Sequence, residues 1–156
     1  NPSISGFTIS PQVAEAINQA ASQYGIPPEI LYDIALQESS FRPTHVNTTP
    51  AGIEAGNPTG LYQFTDPTWE EVQGYMNSPG SSLRLPNTDR MDPMTNALAA
   101  AYLIKHGQLG KWDASEDVWG NFWPVEELDK LGFYNQSTHH IPGLRASDRL
   151  RGKTKK

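Results

Sequence analysis

Apolar residues recur at helical spacing in several separate stretches of this chain, and each stretch is bracketed by residues that start or stop helices. Val13, Ala14, Ile17, Ala20 and Ala21 form one stripe behind Ser10-Pro11, an N-cap followed by a first-turn proline, and Gly25 ends it. This predicts a helix of about four turns. Pro27-Pro28-Glu29 opens a second helix that carries Leu31, Ile34, Ala35 and Glu38 before Pro43 stops it. Asp66-Pro67 caps a third, running through Trp69, Val72 and Tyr75. Asp92-Pro93 opens the longest apolar run, Ala97 through Ile104, which ends at Gly107 and is expected to be the central post of the core. Ser115-Glu116 and Pro124 start two shorter helices, the latter ending at Gly132, and beyond Pro142 the signal fades. Residues 44–60, with Pro50, Gly52, Gly56, Pro58 and Gly60, read as an irregular loop with room for a short hairpin, and residues 77–90 as a second loop. No run alternates with period two and no segment repeats, so the fold class is mainly α.

Composition narrows this picture in a few respects. At 156 residues and 37% hydrophobic content, the chain is long enough for one core and short for two. A single domain is expected over residues 1–142. Residues 143–156 read as a solvated basic tail holding Arg145, Arg149, Arg151, Lys153, Lys155 and Lys156. The formal net charge of −5 argues against a nucleic-acid partner, whose phosphates call for a basic surface. Without cysteine there is no disulfide framework and no thiolate chemistry, and the compartment stays open. No apolar run approaches a bilayer span, so no stable membrane insertion is expected. The chain begins at Asn1, which suits a processed form or a domain cut from a larger polypeptide or assembly.

The chemistry concentrates at Glu38. It follows the apolar face Ile30-Leu31-Ile34-Ala35 at the end of the second helix. Partial burial and the negative end of the helix dipole both disfavour ionisation, so a carboxyl there is suited to hold a proton and donate it near neutral pH. Proton donation to a leaving oxygen is half of glycoside cleavage. Across the first loop, Gly60-Leu61-Tyr62-Gln63-Phe64 forms a glycine-started turn. His45 and His106 are isolated and His139-His140 are adjacent, which is not the spacing of a helical metal pair. No phosphate-cradling loop and no nucleophile elbow is present either, and no metal and no cofactor are expected.

Taken in order, Glu38-Ser39-Ser40-Phe41-Arg42-Pro43, Thr49-Pro50-Ala51-Gly52, Gly60-Leu61-Tyr62-Gln63-Phe64 with Pro67, Asp92-Pro93-Met94-Thr95-Asn96-Ala97 and Tyr102-Leu103 resemble the motifs of the soluble lytic transglycosylase family. The resemblance covers roughly residues 11–107. It implies a lysozyme-like helical domain acting on the glycan strands of bacterial peptidoglycan, with Glu38 as the catalytic residue. It also implies that Thr49 supplies a hydroxyl to the catalytic carboxylate, although a threonine in such a loop also commonly closes a local turn. Gln63, with donor and acceptor groups for a sugar acetamide, and Tyr62 are the expected substrate-binding residues of the turn. Asn96 and Tyr102 lie on the apolar helix and are expected to be satisfied core groups.

Two departures stand out. The family's Ala-Tyr-Asn-Ala-Gly string, whose tyrosine approaches the carboxylate, is missing. By spacing its place falls near 117–123, and by residue identity the nearest echo is Phe133-Tyr134-Asn135, which makes Tyr134 the candidate. The insertion Ile53-Glu54-Ala55-Gly56-Asn57 lengthens the active-site loop and introduces an acid, Glu54, whose commoner fate is a solvated loop position. The aromatic residues Trp69, Tyr75, Trp119, Trp123 and Tyr134 are either walls for sugar rings or core.

With one evident acid, the resemblance implies that Glu38 cleaves the bond between N-acetylmuramic acid and N-acetylglucosamine and leaves a 1,6-anhydro end. A goose-type-lysozyme-like hydrolase is the alternative, with Glu54, Asp66, Asp89 or Asp92 as the base that activates water. A non-catalytic glycan-binding module is the other. The substrate places the protein in the periplasm or cell envelope of a bacterium, or in a phage virion.

Overall fold

The computed structural model describes residues 3–4 and 7–115. Two short strands come first, β1 (Ser3–Ile4) and β2 (Phe7–Thr8), paired antiparallel with Ser3 opposite Thr8 and Ile4 opposite Phe7. At two residues each, these strands are too short to show a period in the sequence.

The helices follow: α1 (Pro11–Tyr24), α2 (Pro28–Ser39), α3 (Pro50–Ala55), α4 (Asp66–Met76) and α5 (Pro93–Lys105), then a 3-10 stretch, Leu109–Ser115. The starts expected for α1, α2 and α5 hold for local reasons, whereas the helices expected from Ser115-Glu116 and Pro124 lie outside the described residues. The Ser10 side chain accepts from the Val13 N–H and Gly25 closes α1 in the left-handed region. The Asp92 carboxylate accepts from the Thr95 N–H and caps α5. At the other end Gln108 N donates to Leu103 O and Gly107 N to Ile104 O, which closes α5 with a Schellman motif. For α4 the cap sits one residue earlier than expected: the Thr65 hydroxyl accepts from Thr68 N, and Asp66 occupies the first turn. The loop 44–60 also departs from expectation. It contains α3, capped by Thr49 and closed by Gly56, together with single bridges that pair Thr59 with both Val46 and Phe64.

The chain divides into two units, Asn1–Tyr102 and Leu103–Lys156. In the first, α1 packs on α2, burying Val13, Ala16, Ile17 and Ala20 on one helix and Ile30, Leu31, Ile34 and Ala35 on the other. The stretch from Thr95 to Tyr102 on α5 is buried on all sides, as expected of a helix apolar around its whole circumference. Tyr102 meets Tyr24 and Tyr75 with ring centroids 5.8 Å away in each case. In the second unit Leu103, Ile104, Leu109 and Trp112 are buried. The described chain is mainly helical, in keeping with a lysozyme-like domain. No described helix is long and apolar enough to cross a membrane.

Candidate active site

The second helix delivers Glu38 to its last turn, half-buried. Ser40 and Phe41 then take left-handed backbone conformations, φ 54° and 62°. Neither is glycine, so each costs about 1–2 kcal/mol that the surroundings must offset. Part of the offset is visible. Ser40 N bonds to Leu36 O, and Arg42 returns to the helix end, its backbone N and its Nε reaching Ser39 O at 3.1 and 2.8 Å. The cation thereby sits on the Ser39 carbonyl at the negative end of the helix.

Ser39, buried beside the acid, donates its hydroxyl to Leu61 O at 2.8 Å. This ties the acid's own turn of helix to Gly60–Phe64. The same turn is held from three other sides. Gly60 N donates to His45 O at 2.8 Å. The fully buried Asn96 accepts from Tyr62 N and donates to Arg90 O, both at 2.8 Å, with Thr59 O farther off at 3.4 Å. Arg90 Nη1 donates to Phe64 O at 2.9 Å. Gly60 is required here: a β-carbon at its φ of 91° would run into the Asn96 amide and the Arg90 carbonyl.

Gln63 is the strained residue of the turn, left-handed with φ 55°. Its Nε2 donates to His45 O at 3.0 Å and to Gly60 O at 2.9 Å. Two carbonyl partners fix which end of the amide is the NH2, so the group left for a ligand is the carbonyl oxygen, an acceptor. The His45 imidazole is held below its ordinary pKa by partial burial and then by the nearby Arg42 charge.

Tyr62 is placed differently from its expected role. Its side chain is fully buried and its hydroxyl donates to Leu31 O on α2 at 2.7 Å, so it has no surface to offer a sugar. Burial pushes its phenol well above the ordinary value, with a smaller push from Tyr32. Tyr62 is a second pin between the turn and the acid's helix. Thr49 is likewise engaged locally: its hydroxyl donates to Asn47 Oδ1 at 2.7 Å and accepts from Gly52 N at 3.0 Å, the turn-closing alternative. A hydroxyl has one proton, and this one is committed to Asn47. Tyr134, Trp119 and Trp123 lie outside the described residues.

The other candidate acids, Glu54, Asp66, Asp89 and Asp92, are engaged in structure or exposed. Asp66 pairs with Arg90 at 2.8 Å and accepts from Asn57 Nδ2 at 3.0 Å. The Asn57 amide first and the Arg90 guanidinium second hold its carboxyl below the ordinary range. Asp92 accepts from the Thr95 hydroxyl as well as its N–H, and Asp89 closes a turn with Met91 N. Glu54 is exposed on α3. Among the described residues no three or more His, Asp or Glu side chains group as metal ligands would. Trp69 is core, its ring against Phe64 at 5.2 Å and its Nε1 on Thr88 O, and Tyr75 is half-buried with its hydroxyl on Glu71.

The serine and arginine that fasten this arrangement, Ser39 and Arg90, were not singled out by sequence reasoning. Only a three-dimensional partner reveals them. No curated protein and no solved structure matches the chain. The family model described as Transglycosylase SLT domain matches residues 15–120. The chain belongs to that family and with it carries a function of the lytic transglycosylase type, directed at peptidoglycan.

Proposed function

We propose that Glu38 is the sole acid and base of a reaction that cuts the β-1,4 bond from N-acetylmuramic acid to N-acetylglucosamine and closes a 1,6-anhydro ring on the muramyl sugar. Glu38 gives its proton to the glycosidic oxygen as the bond from that oxygen to the muramyl C1 breaks, releasing a free hydroxyl on the N-acetylglucosamine. The substrate's own acetamide oxygen steadies the positive charge at C1. The Glu38 carboxylate then takes the proton of the C6 hydroxyl while that oxygen bonds to C1. The acid ends protonated, as it began, and no water is consumed. One carboxyl is therefore enough, where a hydrolase places two about the bond.

The observation that carries this reading is the placement of Glu38: half-buried in the last turn of α2, next to Ser39, whose hydroxyl fastens that turn to Leu61. Half-burial favours the protonated starting form. The engagement of Asp66, Asp89 and Asp92 in structure, and the exposure of Glu54, support a mechanism with a single acid. Gln63 binds the sugar acetamide through its remaining acceptor. Tyr134 is the residue we assign to the role of the family's missing tyrosine. The protein acts where its substrate is, in the periplasm or envelope of a bacterium or at the wall when carried by a virion.

Glu38→Gln tests the assignment. The variant should keep the wild-type circular dichroism and melting temperature and lose lytic activity on purified cell walls by at least about 100-fold. Undiminished lysis by the folded variant would remove Glu38 from the mechanism.

A further inference from the structure

Arg90 lies outside every motif that carries the family resemblance, in the loop before α5, yet it touches the candidate site on three sides. Its Nη1 donates to Phe64 O, the carbonyl directly after Gln63, at 2.9 Å. Its Nη2 meets Asp66 Oδ1 in the first turn of α4 at 2.8 Å. Its own carbonyl accepts from the buried Asn96 Nδ2 at 2.8 Å, beside the space that Gly60 leaves open. Asp66 extends the grip: Oδ2 accepts from Asn57 Nδ2, and its backbone N donates to Gly56 O at 2.7 Å. The guanidinium is half-buried, with 23% of the side chain exposed, so these bonds are partly shielded from water.

One planar fork thus joins the exit of the Gln63 turn to the start of α4, while the same residue's backbone is locked to α5. A left-handed non-glycine residue such as Gln63 would relax to φ < 0 if its neighbours released it, and the relaxation would carry its amide off His45 O and Gly60 O. We propose that Arg90 is a positioning residue for glycan binding: by holding Phe64 O and Asp66 together it keeps Gln63 strained and its acceptor oxygen fixed toward the sugar acetamide. This rests on the reading of Gln63 as the acetamide-binding residue. Glu38 is fastened separately, through Ser39 to Leu61 and Tyr62 to Leu31, so Arg90 governs affinity more than turnover.

The test is a kinetic cycle on solubilised, uncrosslinked peptidoglycan strands with wild type, Arg90→Ala, Gln63→Ala and the double variant. Arg90→Ala should raise KM about tenfold, about 1.4 kcal/mol, with kcat changed much less. The double variant should be no worse than Gln63→Ala alone, because Arg90 acts through Gln63. Hydrogen exchange should quicken at the amides of residues 59–64 in Arg90→Ala and stay as in wild type along α1. Arg90→Lys keeps the charge toward Asp66 without the fork to Phe64 O, and should fall between wild type and Arg90→Ala in KM. It also serves if the alanine variant does not fold. A lowered melting temperature with unchanged KM, additive KM effects in the double variant, or unchanged exchange at 59–64 would each overturn the role of Arg90. Wild type that cleaves no strands would overturn the functional reading instead.

Discussion

Removing the side chain of Asn96 should unfasten the turn from the core, and the structure sets the size of the effect. In Asn96→Ala the N–H of the fully buried Tyr62 loses the Asn96 Oδ1 acceptor at 2.8 Å. Arg90 O loses a donor at the same distance, and the 3.4 Å contact to Thr59 O is too long to add much. A buried polar group left unpaired costs about 1–3 kcal/mol, and the Arg90 carbonyl, being nearer to water, belongs at the low end. The sum is about 3 kcal/mol, and for a chain of this size it lowers the melting temperature by roughly 6–12 °C. Equilibrium urea unfolding is the assay: the midpoint should fall with the slope unchanged. Asn96→Asp sharpens the test, because a carboxylate can still accept from Tyr62 N but repels Arg90 O. The introduced carboxyl should have its folded pKa raised above about 3.9 by burial, so the stability of that variant should fall as pH climbs from there toward neutrality. Asn96→Ala within about 0.5 kcal/mol of wild type would refute the account of Asn96 as the bracket of the turn.

Gly60→Ala should be costly as well, about 3 kcal/mol from its positive φ and from overlap with the Asn96 amide and Arg90 carbonyl, read by thermal melting; a variant as stable as wild type would mean the turn can shift freely. The raised phenol of Tyr62 makes the folded state hold its proton above the pH at which the unfolded chain releases it, near 10, so stability should fall as pH rises beyond that point. Tyr24 and Tyr32, also raised by burial, contribute to the same slope, so Tyr62→Phe should flatten the curve of urea midpoint against pH without abolishing it; an unchanged curve would contradict the burial of the Tyr62 hydroxyl.

Much of the frame was legible because its causes are local. Ser10, Gly25, Asp92 and Gly107 sit where a cap or a left-handed closing residue must sit, and the all-apolar run of α5 could only be buried. The six-residue α3 was overlooked although Thr49-Pro50 and Gly56 are the same signals, since the density of proline and glycine around them reads as loop. At the candidate site the position of Glu38 at the end of α2 was legible and the fastenings around it were not. Ser39 to Leu61, Tyr62 to Leu31 and Arg90 to Phe64 are separated by 22, 31 and 26 residues, distances over which periodicity carries no information. Tyr62 illustrates the cost: beside Gln63 it looked like a ligand-facing residue, whereas the turn sends its ring into the core. Thr49 could be read two ways from its surroundings, and the choice depended on Asn47 two residues earlier.

The central claim, that one carboxyl does the work of acid and base without water, is tested most directly by the products. Purified peptidoglycan should be digested to completion and the muropeptides weighed by mass spectrometry before and after borohydride treatment. The account predicts fragments lighter by one water than those of a hydrolase, with muramyl ends that borohydride does not reduce. Fragments of full hydrolytic mass with reducible ends, formed by wild type and lost in Glu54→Ala or Asp89→Ala, would contradict it and establish a two-carboxylate hydrolase.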